Sequence, residues 1–267
     1  MTQINIKDFP NNGAAIHFKM RGLHPIIDDG VIIFNDSVAV ELQSKLNSND
    51  DYMLPVWKKI RSNSLFRARV TESHLLKELV LTGTQQYIIL GAGLDTFSNR
   101  KPDWAKNIDV YNVDLSHILS AREELLGNYG INIACDLKNL TLSKLEEHGF
   151  DLNKPSFFSL LGVSMYLDHE SQKRLYSEIS KLDNVSLVIT YMGFEKTPIL
   201  QTVSKAADII GEPFIGKIRE DDLIVMLKNA GFTTIKNPEK SVRDKWYKGS
   251  SLPKPNLKSL IIAKKFM

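Results

Sequence analysis

Residues 86–100, QYIILGAGLDTFSNR, constrain this chain more than any other stretch. They open on the apolar run Tyr87-Ile88-Ile89-Leu90, which is short, β-branched and aromatic and reads as a parallel strand buried on both faces. Gly91-Ala92-Gly93 follows at once. Two glycines at this spacing let the backbone turn sharply at a strand's end and approach a ligand without Cβ interference. Asp95 and Thr96 then stand in the loop or at the start of the next helix. These are the parts of a nucleotide-binding βα turn. The dinucleotide fingerprint would need a third glycine where Thr96 stands, so the turn suits a ligand that carries adenosine but no pyrophosphate.

Two acids extend the pattern. Asp114 follows Gly93 by 21 residues and ends a strand expected over residues 109–113. In such folds an acid about 20 residues after the glycine turn accepts from two ribose hydroxyls. Asp136 ends a third strand, expected at 131–134. A carboxylate there can accept from an exocyclic adenine amine, and the next backbone N–H, of Leu137, can donate to a ring nitrogen. Each acid alone also fits as a helix N-cap. In register with Gly91 and Gly93, the pair lines the carboxyl ends of consecutive strands, where open α/β sheets bind ligands.

The rest of the chain continues the alternation. Strands are expected at 156–163 and 185–191. Helices are expected after Ser116, at 141–148, after Asp168 and at 219–230. Segments 232–235 and 257–263 can close the sheet as an antiparallel pair. Strands alternating with helices imply a parallel sheet with right-handed crossovers. Residues 1 to about 80 lack this alternation and read as helices at 14–21, 36–46, 54–60 and 64–81. Lys19, Arg21, Arg61, Arg67 and Arg69 cluster there, and a solvated helix face is expected for most of them. Lys254, Lys258, Lys264 and Lys265 flank the last apolar run and read as a solvated strand end. No linker rich in proline or glycine divides the chain. The expected architecture is a single α/β domain over 1–267: a helical N-terminal cap (1–81), a binding core (82–192), an insertion over the site (193–218), and a C-terminal helix and hairpin (219–267).

Composition excludes several classes. The net charge of +3, from 34 basic and 31 acidic residues, and the absence of a basic run interleaved with aromatics argue against nucleic acid as a partner. Cys135 is the one cysteine, so no internal disulfide can form, and no Cys/His spacing suits zinc. No apolar run reaches membrane-spanning length, and the N-terminus lacks a secretory pattern. A cytoplasmic protein with a small-molecule partner is expected.

The strings IILGAGLDT, NVD, ACDL, GVSMYL and GEPFIGKIREDDLIVMLKNAGF, in this order, resemble the leucine carboxyl methyltransferase family. The resemblance covers about residues 14–235. It implies a Rossmann-like, mostly parallel sheet with an antiparallel last strand, S-adenosyl-L-methionine as methyl donor, and O-methylation of a small-molecule carboxylate or hydroxyl. Carried onto this chain, Gly91 and Gly93 pass under the methionine part of the donor, Asp114 takes the ribose, and Asp136 and Leu137 hold the adenine. Ala92, Asp95, Leu115 and Gly162 are expected among the donor-binding residues. Arg69, the second arginine of R-A-R-V, matches the family's clasp on the methionine carboxylate, and Lys19 or Arg21 could match a basic residue on the first helix. Where the family has Glu-Gly, this chain has Leu161-Gly162, and Phe97 stands where an arginine often follows the glycine turn. Tyr166 and Tyr191, near the ends of the fourth and fifth strands, are the expected acceptor-side groups; His17 and His24 rank behind them. The alternatives are an adenosine-ligand binder without catalysis and a nicotinamide-dependent oxidoreductase. Thr96 and the lack of a Tyr-x-x-x-Lys pair after the fourth strand speak against the oxidoreductase.

Overall fold

The computed structural model describes residues 4–194 and 213–266. Its main sheet is built from β1 (Gln86–Leu90), β2 (Asp109–Asp114), β3 (Ile131–Ala134), β4 (Ser156–Leu160), β5 (Val185–Thr190), β6 (Thr234–Lys236) and β7 (Leu260–Lys265). Their order across the sheet is β3-β2-β1-β4-β5-β7-β6. The first five strands are parallel; β7 runs antiparallel to β5, and β6 antiparallel to β7. The expected parallel sheet with an antiparallel close is what forms.

The strands read as unbroken apolar runs because helices cover both faces. On β1, Ile88 and Leu90 pack into one layer with Leu145, Leu175 and Leu223. Tyr87 and Ile89 point the other way, onto Leu65, Phe66 and Val70. The two layers draw on helices on opposite sides of the sheet. These helices are α1 (Asn12–Ile27), α2 (Ser37–Leu42), α3 (Pro55–Thr82), α4 (Phe97–Arg100), α5 (Ser116–Leu126), α6 (Leu142–Glu146), α7 (His169–Ile179), α8 (Glu220–Ala230) and α9 (Lys240–Trp246). Asp168 caps α7 by accepting from Ser171 N, as its position in the sequence indicates.

Several expectations change. Residues 54–60 and 64–81 are not two helices but the single helix α3. Arg61 and Ser62, between the two expected helices, form a buried polar face. Arg61 binds Asp28 through both side-chain oxygens and donates to Tyr52 O, and Ser62 donates to Pro253 O at 2.5 Å. The cations on α1 and α3 are not mostly solvated: Lys19, Arg21 and Arg61 are all buried. Arg21 and Arg100 meet at the fully buried Asp36, which also accepts from Thr96 Oγ1. Lys264 is buried against Glu78 of α3, so β7 ends in an ion pair inside the fold rather than in solvent. β4 stops at Leu160 instead of 163 because Gly162, at φ +76°, turns the chain. The expected insertion at 193–218 lies mostly outside the described residues. Its described end is anchored by Gly216 N donating to Met165 O and Ile218 N to Met192 O.

Candidate functional site

The glycine turn is held from three sides. Gly91 N donates to Val113 O, joining the tips of β1 and β2. Gly93, at φ +44°, leaves so little room that a Cβ there would stand 2.9 Å from Ala14 Cβ of α1. Beneath the loop, buried Arg122 of α5 donates to the carbonyls of Gly93 and Asp95 and to Ser98. Arg21 of α1 donates to Leu94 O at 2.7 Å while paired with Asp36. A loop with two guanidiniums tied to its carbonyls is preorganised to keep its N–H groups and glycine faces toward a ligand. Sequence reading missed Arg122, which carries no motif of its own.

Asp114 sits against this loop. Its Oδ2 accepts from Gly93 N at 2.7 Å and its Oδ1 from Leu115 N at 2.8 Å. It is therefore not a side-chain cap deep into α5, but a brace between two strand tips. Each oxygen keeps a lone pair for a further donor. Burial holds its carboxyl above the ordinary carboxylate value, although the Gly93 and Leu115 N–H groups pull it down. Asp136 accepts from Lys138 N at 2.9 Å, and Cys135 N donates to Asp114 O at 2.9 Å, which sets the tips of β2 and β3 side by side. Leu137 turns its side chain into the core.

Over β1, β4 and β5 lies a cavity of about 1450 Å³, closed above by α1 and α3. Gly91, Ala92, Gly93, Asp95, Gly162, Tyr166 and Tyr191 all line it. Asp114, Leu115, Asp136 and Leu137 do not; they continue the site along the strand tips outside the cavity. His17 and Arg21 line it from the cap, with Trp57, Phe66 and Phe214 among its aromatic walls. Lys19 turns away to the carbonyls of Gln43 and Leu46, so Arg21 is the first-helix cation that reaches the site. His24 serves the cap, with Nδ1 on Asp28 and Nε2 accepting from Ile33 N.

The two arginines of R-A-R-V face different ways. Arg69 faces out of the site: it donates to Ile33 O and stacks on Trp246, 4.5 Å from the ring centroid. Arg67 lines the cavity instead, its Nη1 2.7 Å from where a Gly162 Cβ would stand. Two positions apart on a helix is roughly 200° around its axis, so only one of the pair can face inward. Among the described residues no carboxylate or carbonyl pairs with the Arg67 guanidinium. Burial, with Arg21 nearby, lowers its pKa to about 10 against the pull of Asp95 and Tyr166. A desolvated, unpaired guanidinium over a side-chain-free glycine is a seat for an anion. Leu161 also lines the cavity and packs on the apolar layer of α3. Phe97 is buried edge-on against Tyr87, where an arginine would not fit without a partner.

Comparison with known proteins bears on the family and the fold. The sequence profile of the leucine carboxyl methyltransferase family matches residues 13–180. The chain is 33% identical over 160 residues to YktD of Bacillus subtilis, named as a candidate S-adenosyl-L-methionine-dependent methyltransferase, in an alignment covering 56% of this chain and 50% of that one. It is 23% identical over 194 residues to a similarly named Streptomyces coelicolor protein, covering 67% and 64%. The chain thus spans half the length of the first relative and less than two thirds of the second. Among solved structures, a candidate methyltransferase of Thermobifida fusca superposes with a TM-score of 0.57 at 16% identity, over 95% of this chain and 94% of that one. Human N-acetylserotonin methyltransferase with its bound donor superposes at 0.50 and 11% identity, over 81% and 58%. At such identities the likeness is one of fold. Among the described residues no helix is long and apolar enough to cross a membrane.

Proposed function

This chain belongs to the leucine carboxyl methyltransferase family, and on that premise we propose that it is an S-adenosyl-L-methionine-dependent methyltransferase acting on an oxygen of a small molecule. The observation that carries the proposal is the Arg67 guanidinium, with no hydrogen-bonded carboxylate among the described residues, poised over Gly162 in the same cavity as the glycine turn. The donor has the complementary parts: a carboxylate for Arg67, a ribose for the outward lone pairs of Asp114, and an adenine for the tip of β3 at Asp136 and Leu137. Asp95, the acid of the glycine turn that lines the cavity, can face the donor's ammonium where Leu161 cannot.

When bound, S-adenosyl-L-methionine supplies a methyl group on a cationic sulfur. The chain's own part is then mostly placement. The tied loop fixes one end of the reactants, and Tyr166 and Tyr191 flank the other. Alignment of this kind is worth on the order of 7–11 kcal/mol in the best model systems. The apolar walls exclude water, which favours a transition state in which charge is lost. Ligand pockets commonly measure about 300–1,000 Å³, so this cavity has room for an acceptor beside the methionine end of a donor.

Calorimetry with S-adenosylhomocysteine, with NADH as control, tests the proposal. A saturable heat with the former alone is expected. Asp114→Ala should weaken it at least ~10-fold, the loss of about 1.4 kcal/mol. Absence of any heat from the wild-type protein would remove both the methyl-transfer reading and that of a non-catalytic adenosine-ligand binder.

A further inference from the structure

His17 stands in the cavity wall with one ring nitrogen committed. Its Nδ1 lies 2.6 Å from Ser64 Oγ, and Ser64 Oγ lies 2.8 Å from Ile60 O. A carbonyl cannot donate, so the single hydroxyl hydrogen of Ser64 goes to Ile60 O. Ser64 Oγ is then an acceptor toward His17, and the imidazole carries its proton on Nδ1. That leaves Nε2 as the nitrogen with the lone pair, on a ring that lines the cavity. The arrangement is the one a general base requires: a fixed tautomer, an orienting partner on the far nitrogen, and access to the reacting space.

We infer that His17 Nε2 is the base that takes the acceptor's proton, and that the acceptor is therefore a phenol or alcohol rather than a carboxylate. A carboxylate is already ionised at neutral pH and needs no base. The inference rests on the methyltransferase reading above. The acceptor's O–H bond breaks with its proton passing to Nε2. The oxygen's electron pair forms the new bond to the methyl carbon. The carbon–sulfur bond breaks with its pair going to sulfur, so a sulfonium becomes a neutral thioether, and His17 later releases the proton to water.

The surroundings fit this role. Burial, then Arg67, then Arg21 hold the His17 pKa well below its ordinary value, so the ring is neutral and able to accept at neutral pH. Arg21 is on His17's own helix and Arg67 on α3; Asp95 of the glycine turn and Tyr166 after β4 line the same cavity, with Lys59 of α3. Ser64 is a positioning residue: it acts on the acceptor only through the tautomer.

The first test needs no acceptor. Nitrogen-15 NMR of histidine-labelled protein with S-adenosylhomocysteine should show His17 neutral at pH 7, protonated at Nδ1 and bare at Nε2. A proton on Nε2, or titration at or above 6.5, the ordinary histidine value, overturns the inference. The second test incubates the protein with radiolabelled S-adenosyl-L-methionine and size-matched phenols, alcohols and carboxylic acids between pH 6 and 9. Label is expected on hydroxyl compounds only. H17Q should lose roughly 100-fold or more, bind S-adenosylhomocysteine as before, and gain a rate that rises with pH as the acceptor ionises unaided. Label on acids alone, no label at all with donor bound, or an unchanged H17Q rate and pH profile overturns it. Loss of donor binding by the wild type strikes the parent reading instead.

Discussion

Replacing Arg67 and Arg69 in turn by methionine separates two residues the sequence cannot tell apart. Arg67 faces the cavity with no hydrogen-bonded carboxylate among the described residues, and its pKa is lowered to about 10, first by burial and then by Arg21, against the pull of Asp95. At about 1.36 kcal/mol for each tenfold change in acidity, that is at most about 3 kcal/mol against the folded, charged state. Water in the cavity reduces it, so about 1–2 kcal/mol is the expected cost. The sign is definite: the folded-state pKa is below the unfolded one, so the penalty is present at neutral pH and fades only as pH rises past 10. Arg67→Met should therefore raise the thermal midpoint of the ligand-free protein. It should also remove a bidentate, desolvated partner of the donor carboxylate. Breaking such a pair by deleting one side costs about 3–5 kcal/mol, or about 100-fold to 4,000-fold in affinity for S-adenosylhomocysteine. Arg69→Met should do the reverse. It loses a hydrogen bond to Ile33 O and the face of Trp246, together about 1–2 kcal/mol of stability, and leaves affinity within about twofold. Calorimetric titration and thermal melts of both variants read all four quantities. A collapse of affinity in Arg69→Met with Arg67→Met unchanged would refute the assignment.

Three further outcomes follow from the same contacts. Gly162→Ala places a Cβ at φ +76° and 2.7 Å from Arg67 Nη1, so it should destabilise by about 1–2 kcal/mol and weaken S-adenosylhomocysteine several-fold; wild-type melting and affinity together would count against the close approach. Arg61→Met strands the buried carboxylate of Asp28 and should cost about 3–5 kcal/mol in urea unfolding, whereas less than 1 kcal/mol would mean the pair is idle. Burial pushes the carboxyls of Asp28 and Asp36 up, but hydrogen bonds and charge from His24 and Arg61 on the one, and Arg21, Arg100 and Thr96 on the other, hold both below 3.8. Their stabilisation is thus complete above that value and lost as pH falls through the lower folded-state values, so urea midpoints measured from pH 7 to 3 should be level at first and drop steeply only below about 4.

What the sequence determined by itself is the part governed by local pattern. Runs such as Tyr87 to Leu90 and the segment ending at Asp114 are apolar throughout because both sheet faces are covered. Gly91 and Gly93 mark a turn that a side chain would obstruct, and the acid spacing follows from the length of one strand–helix unit. Strand identity, the antiparallel close and the grouping of Gly93 with Asp114 were legible for these reasons. Tertiary structure alone decided which polar residues are buried and which way they face. Arg61 meets Asp28 at a separation of 33 residues, and Lys264 meets Glu78 at 186, so neither cation shows its partner to a reader of neighbouring positions. The same holds for Arg122 beneath the glycine loop and for Ser64 behind His17. Arg67 and Arg69 share composition, helix and neighbourhood; they differ in the azimuth each presents, and an azimuth has meaning only once the helix is packed against its sheet.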